Sequence, residues 1–416
     1  MKTTSRYALM AALGFSIAAT AGSSPAFAKK KEEAPAAPVL KLSEDVRKLL
    51  GESQAALTKG DFAGAKAKDD EAKAAAKTPD DQYVVAQIAF NIAIATKDVA
   101  GQSAGLDGMI ASGKVPDVDK PKFYAQQGHF AYDAKNFAKA EQAYLAAVAA
   151  GSTDKDVYAR LADTQSRNGK PADALATLNK VIQNKAGGPV PNDWYARGAD
   201  IASRARLVPQ FVDLTVAWLT DYPVKQNLHD TLFIYRQISN ATGDVDIDLL
   251  RLARHSGVLP LANQAAYLDY ALAVYLKFPN EAVEILKEGI AAGKLNPATS
   301  QNTREILALS QPKVAGDKAS LSGAVAAASG PKSNFKSVLA TADAFASYGD
   351  YAKAIDLYKV ALTKPGADVS VATLRLGVAQ AKSGNKEAAR ATFASVTGSE
   401  AVLARYWLVE LDHPAV

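Results

Sequence analysis

A short turn-and-helix pattern recurs along most of this chain and restricts the folds that the chain can adopt. Its clearest copy spans residues 349–358, where Gly349 and Asp350 precede a run that contains Ala354 and Tyr358. Each copy has a small or polar turn residue, then Asp, Asn or Lys, and an alanine shortly afterwards. The other clear copies begin at Gly60, Lys135, Gly169 and Gly384. We interpret each copy as a tight turn followed by a helix.

The spacing of these copies predicts a repeat array. Weaker copies fill the gaps between the clear ones, and their turn residues are Lys97, Ala205, Gly243, Lys277 and Lys313. Successive turn residues are then 34 to 38 residues apart, with a mean of 36, and ten units cover residues 42–416 almost completely. A unit of this length has room for two helices of about 12–15 residues and two short turns. One such pair cannot bury its apolar faces alone, so neighbouring units are expected to stack into a continuous core.

The distribution of small and large side chains predicts how these helices pack. Apolar residues recur at three- and four-residue spacing, as they do on one face of a helix. Ala140 and Ala354 fall where two helix backbones must approach closely, whereas Tyr144 and Tyr358 would fill the gaps between helix pairs. Residues 400–411 form the last apolar stretch, which we expect to be a helix that covers the exposed end of the stack.

Three of the predicted units match the pattern poorly. Gly101, Gly105 and Gly108 fall inside the second helix of the second unit, where each glycine costs about 1 kcal/mol relative to alanine. The eighth unit ends in a low-complexity run at residues 315–330. The second, sixth and eighth units could therefore be distorted pairs, longer helical pairs or local breaks in the superhelix.

The repeat resembles the tetratricopeptide repeat (TPR). In the third unit, the resemblance rests on Tyr124, Gln127, Gly128, Ala131, Tyr132, Ala140, Tyr144 and Ala147. In the ninth unit, it rests on Ala342, Phe345, Ala354, Tyr358, Ala361 and Pro365. The resemblance implies an all-α fold: a right-handed superhelical solenoid of about ten TPR-like helix-turn-helix units with a C-terminal capping helix. It also implies that the first helix of each unit lines a concave surface, which binds a peptide or a protein.

The N-terminal region has the features of a bacterial export signal. Lys2 and Arg6 provide a positive start, an uncharged apolar run follows, and small residues end it at Ala28. The run is shorter than the roughly 20 residues that span a bilayer, which favours a cleaved signal over a membrane anchor. We therefore predict a signal peptide at residues 1–28, cleaved after Ala28, a flexible leader at residues 29–41 and the repeat array at residues 42–416. The expected location is the periplasm or the extracellular medium.

Composition and charge argue against several classes of function. The chain has no cysteine, so it forms no disulfide and has no thiol for a lipid anchor. Its net charge of +5 is small for 416 residues and does not indicate a nucleic-acid-binding protein. The four histidines lack metal-binding spacing, and no phosphate-binding loop or dinucleotide fingerprint occurs. We predict no metal, no cofactor and no transmembrane segment after signal cleavage.

Two kinds of motif offer a catalytic alternative. Residues 101–105 match the G-x-S-x-G nucleophile elbow, with Ser103 at its centre, but that elbow requires a strand-to-helix turn and the surrounding pattern is helical. Ser-x-x-Lys matches begin at Ser329, Ser333 and Ser383, without the S-D-N and K-T-G motifs that accompany them in penicillin-binding enzymes. A serine hydrolase is thus an alternative from another class. We predict a protein without enzymatic activity and interpret the glycines as a means of close helix packing.

A polar stripe on the first helices of the third, fourth and fifth units is the candidate binding site. Four of its residues in the fourth unit are spaced by four, three and four positions, which places them on one helical face. The predicted partner-binding residues are Lys122, His129, Tyr132, Asp133, Asp156, Arg160, Asp163, Arg167, Asn192 and Tyr195. The alternative is a solvated surface with ion pairs inside single helices. We predict a protein-interaction scaffold of the cell envelope, or alternatively an assembly factor for export or outer-membrane machinery, whose partner the sequence does not identify.

Overall fold

The recurring pattern is the start of a helix after a reversal of the chain. The computed structural model describes residues 40–183, 190–330 and 333–416, and all regular secondary structure in these ranges is helical. Gly349 has a φ of 80°, which reverses the chain after the preceding helix. Asp350 then accepts a hydrogen bond from the backbone N–H of Lys353 at 3.1 Å and caps the next helix. The same pair of features occurs at Gly60–Asp61, Lys97–Asp98, Lys135–Asn136 and Gly384–Asn385.

The described residues contain twenty α-helices. The first eight are α1 (Glu44–Thr58), α2 (Phe62–Ala75), α3 (Pro79–Ala95), α4 (Val99–Ala111), α5 (Lys120–Asp133), α6 (Phe137–Ala149), α7 (Lys155–Arg167) and α8 (Pro171–Gln183). The next six are α9 (Asn192–Arg204), α10 (Val208–Asp221), α11 (Lys225–Ile238), α12 (Gly243–His255), α13 (Gln264–Val274) and α14 (Pro279–Ala291). The last six are α15 (Gln301–Ser329), α16 (Phe335–Ser347), α17 (Tyr351–Leu362), α18 (Val369–Lys382), α19 (Lys386–Ala394) and α20 (Ala401–Asp412).

Successive helices pack as pairs, as the sequence predicts. Helices α1 to α10 form five pairs, and α13–α14, α16–α17 and α18–α19 form three more, whereas α11 and α12 of the predicted sixth unit contact each other less than they contact their other neighbours. In the α5–α6 pair, a Cβ atom on Gly128 would lie 2.5 Å from the ring of Tyr144, so only glycine allows this close approach. Gly377 faces Phe393 in the same way in the α18–α19 pair. A small residue on the first helix thus accommodates a large one on the second.

The N-terminal limits of the array differ slightly from the prediction. The signal peptide predicted for residues 1–28, and the leader as far as residue 39, lie outside the described residues. Leu40 packs against the N-terminal core, and the backbone N–H of Lys41 donates to the Asp80 carboxylate at 2.8 Å. Contacts with the array therefore begin two residues before the predicted boundary at residue 42.

The eighth unit is one long helix, and the predicted turn at Lys313 is wrong. Lys313 lies within α15, which continues through the low-complexity residues up to Ser329. The first half of α15 contributes Ile306 to the core around α13 and α14, whereas the second half contributes Leu321 to the core around α16 and α17. The alanine-rich run favours helix because alanine has the highest helix propensity. One helix therefore connects two parts of the core that a helix pair was expected to connect.

The C-terminal helices fold back onto the middle of the chain. Helix α20 packs on α18 and α19, which agrees with the predicted cap, but it also packs on α10 and α12. Tyr406 of α20 is buried and its hydroxyl lies 3.0 Å from that of Thr215 in α10. The backbone N–H of Val416 donates to the carbonyl of Pro223 at 3.0 Å. Contacts between α10–α12 and α18–α20 thus close the repeat array. In a simple stack, each helix pair would contact only its neighbours in the sequence.

Candidate protein-binding surface and a charged cavity

The predicted surface residues of α5 and α7 meet in one cluster, which we name the tyrosine–arginine cluster (Tyr132, Arg160, Asp163 and Arg167). Tyr132 of α5 donates a hydrogen bond from its hydroxyl to Asp163 of α7. Arg167 donates from Nε to the same carboxylate at 2.8 Å. The cluster therefore connects the third unit to the fourth.

Both arginines of the cluster lie against the aromatic ring of Tyr132. The guanidinium carbon of Arg160 is 5.3 Å from the ring centroid, and that of Arg167 is 5.6 Å away. Arg167 also lies 5.1 Å from the ring of Phe137, which packs edge-on against Tyr132. These distances are within the range of cation–π attraction. The side chains therefore hold one another in a fixed arrangement, which lowers the entropy lost when a partner binds.

Asp163 is the electrostatic centre of the cluster. Burial alone would raise the pKa of Asp163, but the hydrogen bonds from Tyr132 and Arg167 outweigh it and hold the pKa below its ordinary value. The positive charge of Arg197 on α9 acts in the same direction. Asp163 is therefore ionised at neutral pH, and the fifth unit contributes to the field of the cluster.

Other predicted residues surround the cluster as exposed polar groups. Lys122 and Asp133 are exposed on α5, and Asp156 is exposed on the first turn of α7. Asn192 is exposed at the start of α9, where its side-chain oxygen accepts from Trp218 Nε1 at 2.6 Å. These residues leave charged and amide groups accessible on the first helix of three consecutive units.

Two predicted residues have internal contacts. His129 is partly buried, and its Nδ1 lies 2.8 Å from the hydroxyl of Tyr144. Tyr195 is fully buried, packs edge-on against Tyr222 and donates to Asp221. The surface position predicted for Tyr195 is therefore wrong. The reason is that α9 buries two adjacent aromatic residues, Trp194 and Tyr195, so its buried face is wider than the pattern suggested.

The serine motifs lie on helices or in turns between them. Ser103 is in the middle of α4, without the strand-to-helix turn of a nucleophile elbow. A Cβ atom on Gly105 would lie 2.8–2.9 Å from Phe90 of α3, and one on Gly108 would lie 2.8 Å from the Ala86 side chain. The interpretation of these glycines as close-packing residues is confirmed. Ser383 is the C-cap of α18, and the motif that begins at Ser329 includes Lys332, which lies outside the described residues.

The described residues bear on two further kinds of feature, metal sites and membrane-spanning helices. They contain no group of three or more potential metal ligands among His, Asp and Glu. Within the same ranges, no helix is both long and apolar enough to cross a bilayer.

A buried ionic network that sequence reasoning missed connects α12 with α16 and α18. Arg375 of α18 donates from Nε to Asp248 of α12 at 2.9 Å, from Nη1 to Asp343 of α16 at 2.7 Å, and from Nη2 to Asp244 at 2.6 Å. The hydroxyl of Tyr358 also donates a hydrogen bond of 2.7 Å to the Asp343 carboxylate. Burial alone would lower the pKa of Arg375, but the surrounding carboxylates raise it above its ordinary value. The guanidinium is thus charged at every pH of interest.

A second branch of the network connects α12 to α14. Arg251 binds Glu281 through two hydrogen bonds of 2.8 Å, and the hydroxyl of Tyr270 donates to the same carboxylate at 2.6 Å. Burial would raise the pKa of Glu281, but Arg251 lowers it to about 2. Arg254, one helical turn further along α12, donates from Nε to Glu288 at 2.9 Å. The network had one signal in the sequence, because Arg375 and Asp343 each stand between two apolar residues.

The two branches border a cavity of about 390 Å³, which we name the central cavity. Helices α12, α13, α14, α16, α17 and α18 all contribute to its walls. It lies where the closed array brings the middle and the C-terminal units together. Its lining residues span positions 248–382 of the sequence, so no repeat pattern indicates it.

The order of these elements decides the architecture. Helix pairs follow one another, and in five of them a residue with positive φ and a side-chain cap precede the second helix. In the α5–α6 and α18–α19 pairs, a glycine of the first helix accommodates an aromatic residue of the second. The described residues form an all-helical array of successive helix pairs, which is the arrangement that the resemblance to the tetratricopeptide repeat implies. No protein-family model matches the sequence. No curated protein matches it either.

Several solved structures are similar to the chain. A tetratricopeptide repeat protein from Parabacteroides merdae is 13% identical, with a TM-score of 0.25, over 70% of this chain and 99% of that one. The TPR2AB domain of yeast Sti1 in its complex with pHSP90 is 15% identical, with a TM-score of 0.25, over 70% of this chain and 95% of that one. The TPR domain of P58(IPK) is 14% identical, with a TM-score of 0.23, over 83% and 99% of the two chains. Because these scores are low, the assignment of the fold rests on the helix pairing.

Proposed function

We propose that the chain is a protein-interaction scaffold. It binds a peptide segment or a partner domain along the surface formed by α5, α7 and α9. The observation that carries the proposal is the tyrosine–arginine cluster. It places two guanidinium groups within 5.3 and 5.6 Å of one aromatic ring across a unit boundary, and accessible charges lie on the same helices. Tyrosine and arginine, together with tryptophan, are enriched among the residues that dominate the binding energy of protein interfaces.

The polar character of this surface favours recognition of a partner that carries both charges. Arg160 and Arg167 offer guanidinium groups that can bind carboxylates in a bidentate manner. Asp133 and Asp156 offer carboxylates at the periphery. A partner segment with an acidic group facing α7 and basic groups toward the ends of the site would match this arrangement. The proposal includes no catalytic step.

We further propose that the scaffold acts outside the cytoplasm, in the periplasm or after secretion. The positive start, apolar run and small residues of positions 1–28 support this location. An assembly factor for export or outer-membrane machinery would share the fold and the surface and would differ in its partner. Identification of the bound protein distinguishes the two.

The proposal is tested by purification from the native cell envelope and quantification of the proteins that accompany the chain. The variant Arg160→Glu/Arg167→Glu reverses two charges of the cluster. The amount of the specific partner that copurifies with this variant is expected to fall at least tenfold. Lys180→Glu is the control, because Lys180 is exposed on the second helix α8, outside the proposed surface. Circular dichroism must show the same helix content for all three proteins. Full retention of every partner by the double variant would contradict the proposal.

A further inference from the structure

The charged side chains that line the central cavity differ in how many partners they have within the protein. Three carboxylates line it, and each accepts at least two hydrogen bonds on the protein itself: Asp248 from Arg375 and Arg251, Glu281 from Arg251 and Tyr270, and Asp343 from Arg375 and Tyr358. These carboxylates are therefore engaged and offer little to a cationic ligand.

Lys382 is the exception among the charged residues of the cavity. It lies at the last position of α18, lines the cavity and is partly buried. Within the part of the chain that the structure describes, its ammonium group forms no ion pair or hydrogen bond. It lies 5.8 Å from the ring centroid of Tyr351, which also lines the cavity. A lysine ammonium has three donors, so this group has unused capacity that faces the cavity.

Four cationic side chains line the cavity beside its three carboxylates: Arg251, Arg254, Arg375 and Lys382. Burial lowers the pKa of Lys382 to about 8, and the charges of Arg251 and Arg254 contribute to this shift, while Glu281 and Glu288 oppose it. His255 does not add a charge at neutral pH, because burial lowers its pKa to about 4. An ammonium beside two guanidinium groups is stabilised by any anion that enters the space between them.

We infer that the central cavity is a binding site for a small oxyanion, a carboxylate or a phosphate, held by Lys382 under the field of Arg251 and Arg254. Its volume of about 390 Å³ admits a small molecule and excludes a folded partner. The site is separate from the proposed protein-binding surface, which lies on α5, α7 and α9. Because α12 and α18 both contribute to the walls, a bound anion would also stabilise the closure of the array.

The test is calorimetric titration of the full chain with inorganic phosphate and with citrate. The expected dissociation constants are at or below about 1 mM for at least one probe. Tighter binding of phosphate would indicate a phosphoryl ligand, and tighter binding of citrate a carboxylate. Lys382→Met is expected to weaken binding at least tenfold. Lys359→Met is the matched control, since Lys359 is exposed on α17 outside the cavity lining, and it should bind within twofold of the wild type.

A second measurement separates direct contact from a general loss of structure. Sulfate does not titrate between pH 6 and 9, so its binding at pH 8 should be accompanied by uptake of roughly half a proton as Lys382 becomes fully charged. Almost no uptake is expected at pH 6.5, and Lys382→Arg should bind sulfate without uptake at either pH. The inference is wrong if no probe binds below about 10 mM, if Lys382→Met binds like the wild type, or if the uptake at pH 8 is absent.

Discussion

Arg375 and Asp248 are 127 residues apart, and the Nε of Arg375 donates to the Asp248 carboxylate at 2.9 Å. Both side chains are almost wholly buried, at 7% and 4% exposure. The pair joins α18 to α12, and with α20 it turns a linear stack into a closed one. Loss of one partner would leave the other charge buried without compensation, which is costly in a protein interior.

Arg375→Met is therefore expected to destabilise the protein by roughly 3–5 kcal/mol, because Asp248 and Asp343 would both lose their main partner. Denaturant unfolding measures the change in the free energy of unfolding. Hydrogen exchange should become faster in α12, α18 and α20 and stay unchanged in α1 to α6.

Arg405→Met is the control for Arg375→Met. Arg405 also connects α20 to α10, through an ion pair with Asp213, but these side chains are 41% and 63% exposed. Exposed pairs contribute about 0–1 kcal/mol, so this variant should unfold almost like the wild type. Equal effects of the two substitutions would contradict the role given to the buried pair.

Gly105→Ala tests the close contact between α3 and α4. A helix gains about 1 kcal/mol when alanine replaces glycine. Here the new methyl group would lie 2.8–2.9 Å from the Phe90 backbone and Cβ, so we expect a net loss of roughly 1–3 kcal/mol. Gly316→Ala in α15 has open space around it and should stabilise the protein. Thermal unfolding of both variants gives the comparison, and stabilisation by Gly105→Ala would show that α4 does not approach α3 this closely.

Glu400 is expected to make stability dependent on pH. It is fully buried in the turn before α20, neither of its carboxylate oxygens has a hydrogen-bond partner among the described residues, and burial raises its pKa to about 8. The folded state therefore retains a proton that the unfolded chain releases above its ordinary pKa of 4.5. The free energy of unfolding should fall as pH rises from about 4.5 to 8, and this contribution should stay constant above that range.

Glu400→Gln removes this dependence. The variant should be more stable than the wild type by roughly 1–3 kcal/mol at pH 8 and should differ little from it near pH 4.5. Denaturant unfolding at a series of pH values measures the difference. If the two curves stay parallel between pH 4.5 and 8, Glu400 does not retain its proton in the folded state.

The helix pairs could be predicted because the sequence signals that define them lie close together in the chain. Gly349 and Asp350 are adjacent, and four of the five clear copies combine a residue with positive φ and a side-chain cap in this way. Lys313 misled the prediction because a lysine followed by valine satisfies the pattern loosely. It carries neither a positive φ nor a cap and lies inside α15.

The closure and the central cavity could not be predicted for a physical reason. Arg375 finds Asp248, Asp343 and Asp244 only after the chain has folded back, and a period of 36 residues contains no information about that return. On the candidate surface, the spacing of Arg160, Asp163 and Arg167 correctly gave a shared helical face. It could not show that Tyr195 is buried, because the spacing does not reveal that the buried face of α9 is wide enough to include both Trp194 and Tyr195.

The most direct test of the proposed function is site-specific photo-crosslinking in living cells. The exposed residues Lys122 and Asp156 are the probe positions, because their replacement leaves the tyrosine–arginine cluster intact. Gln142 and Lys180, exposed on the second helices α6 and α8, are the control positions. We predict that one protein is captured from Lys122 and Asp156 and not from Gln142 or Lys180. Equal capture from all four positions, or from none, would contradict a partner-binding surface on α5, α7 and α9.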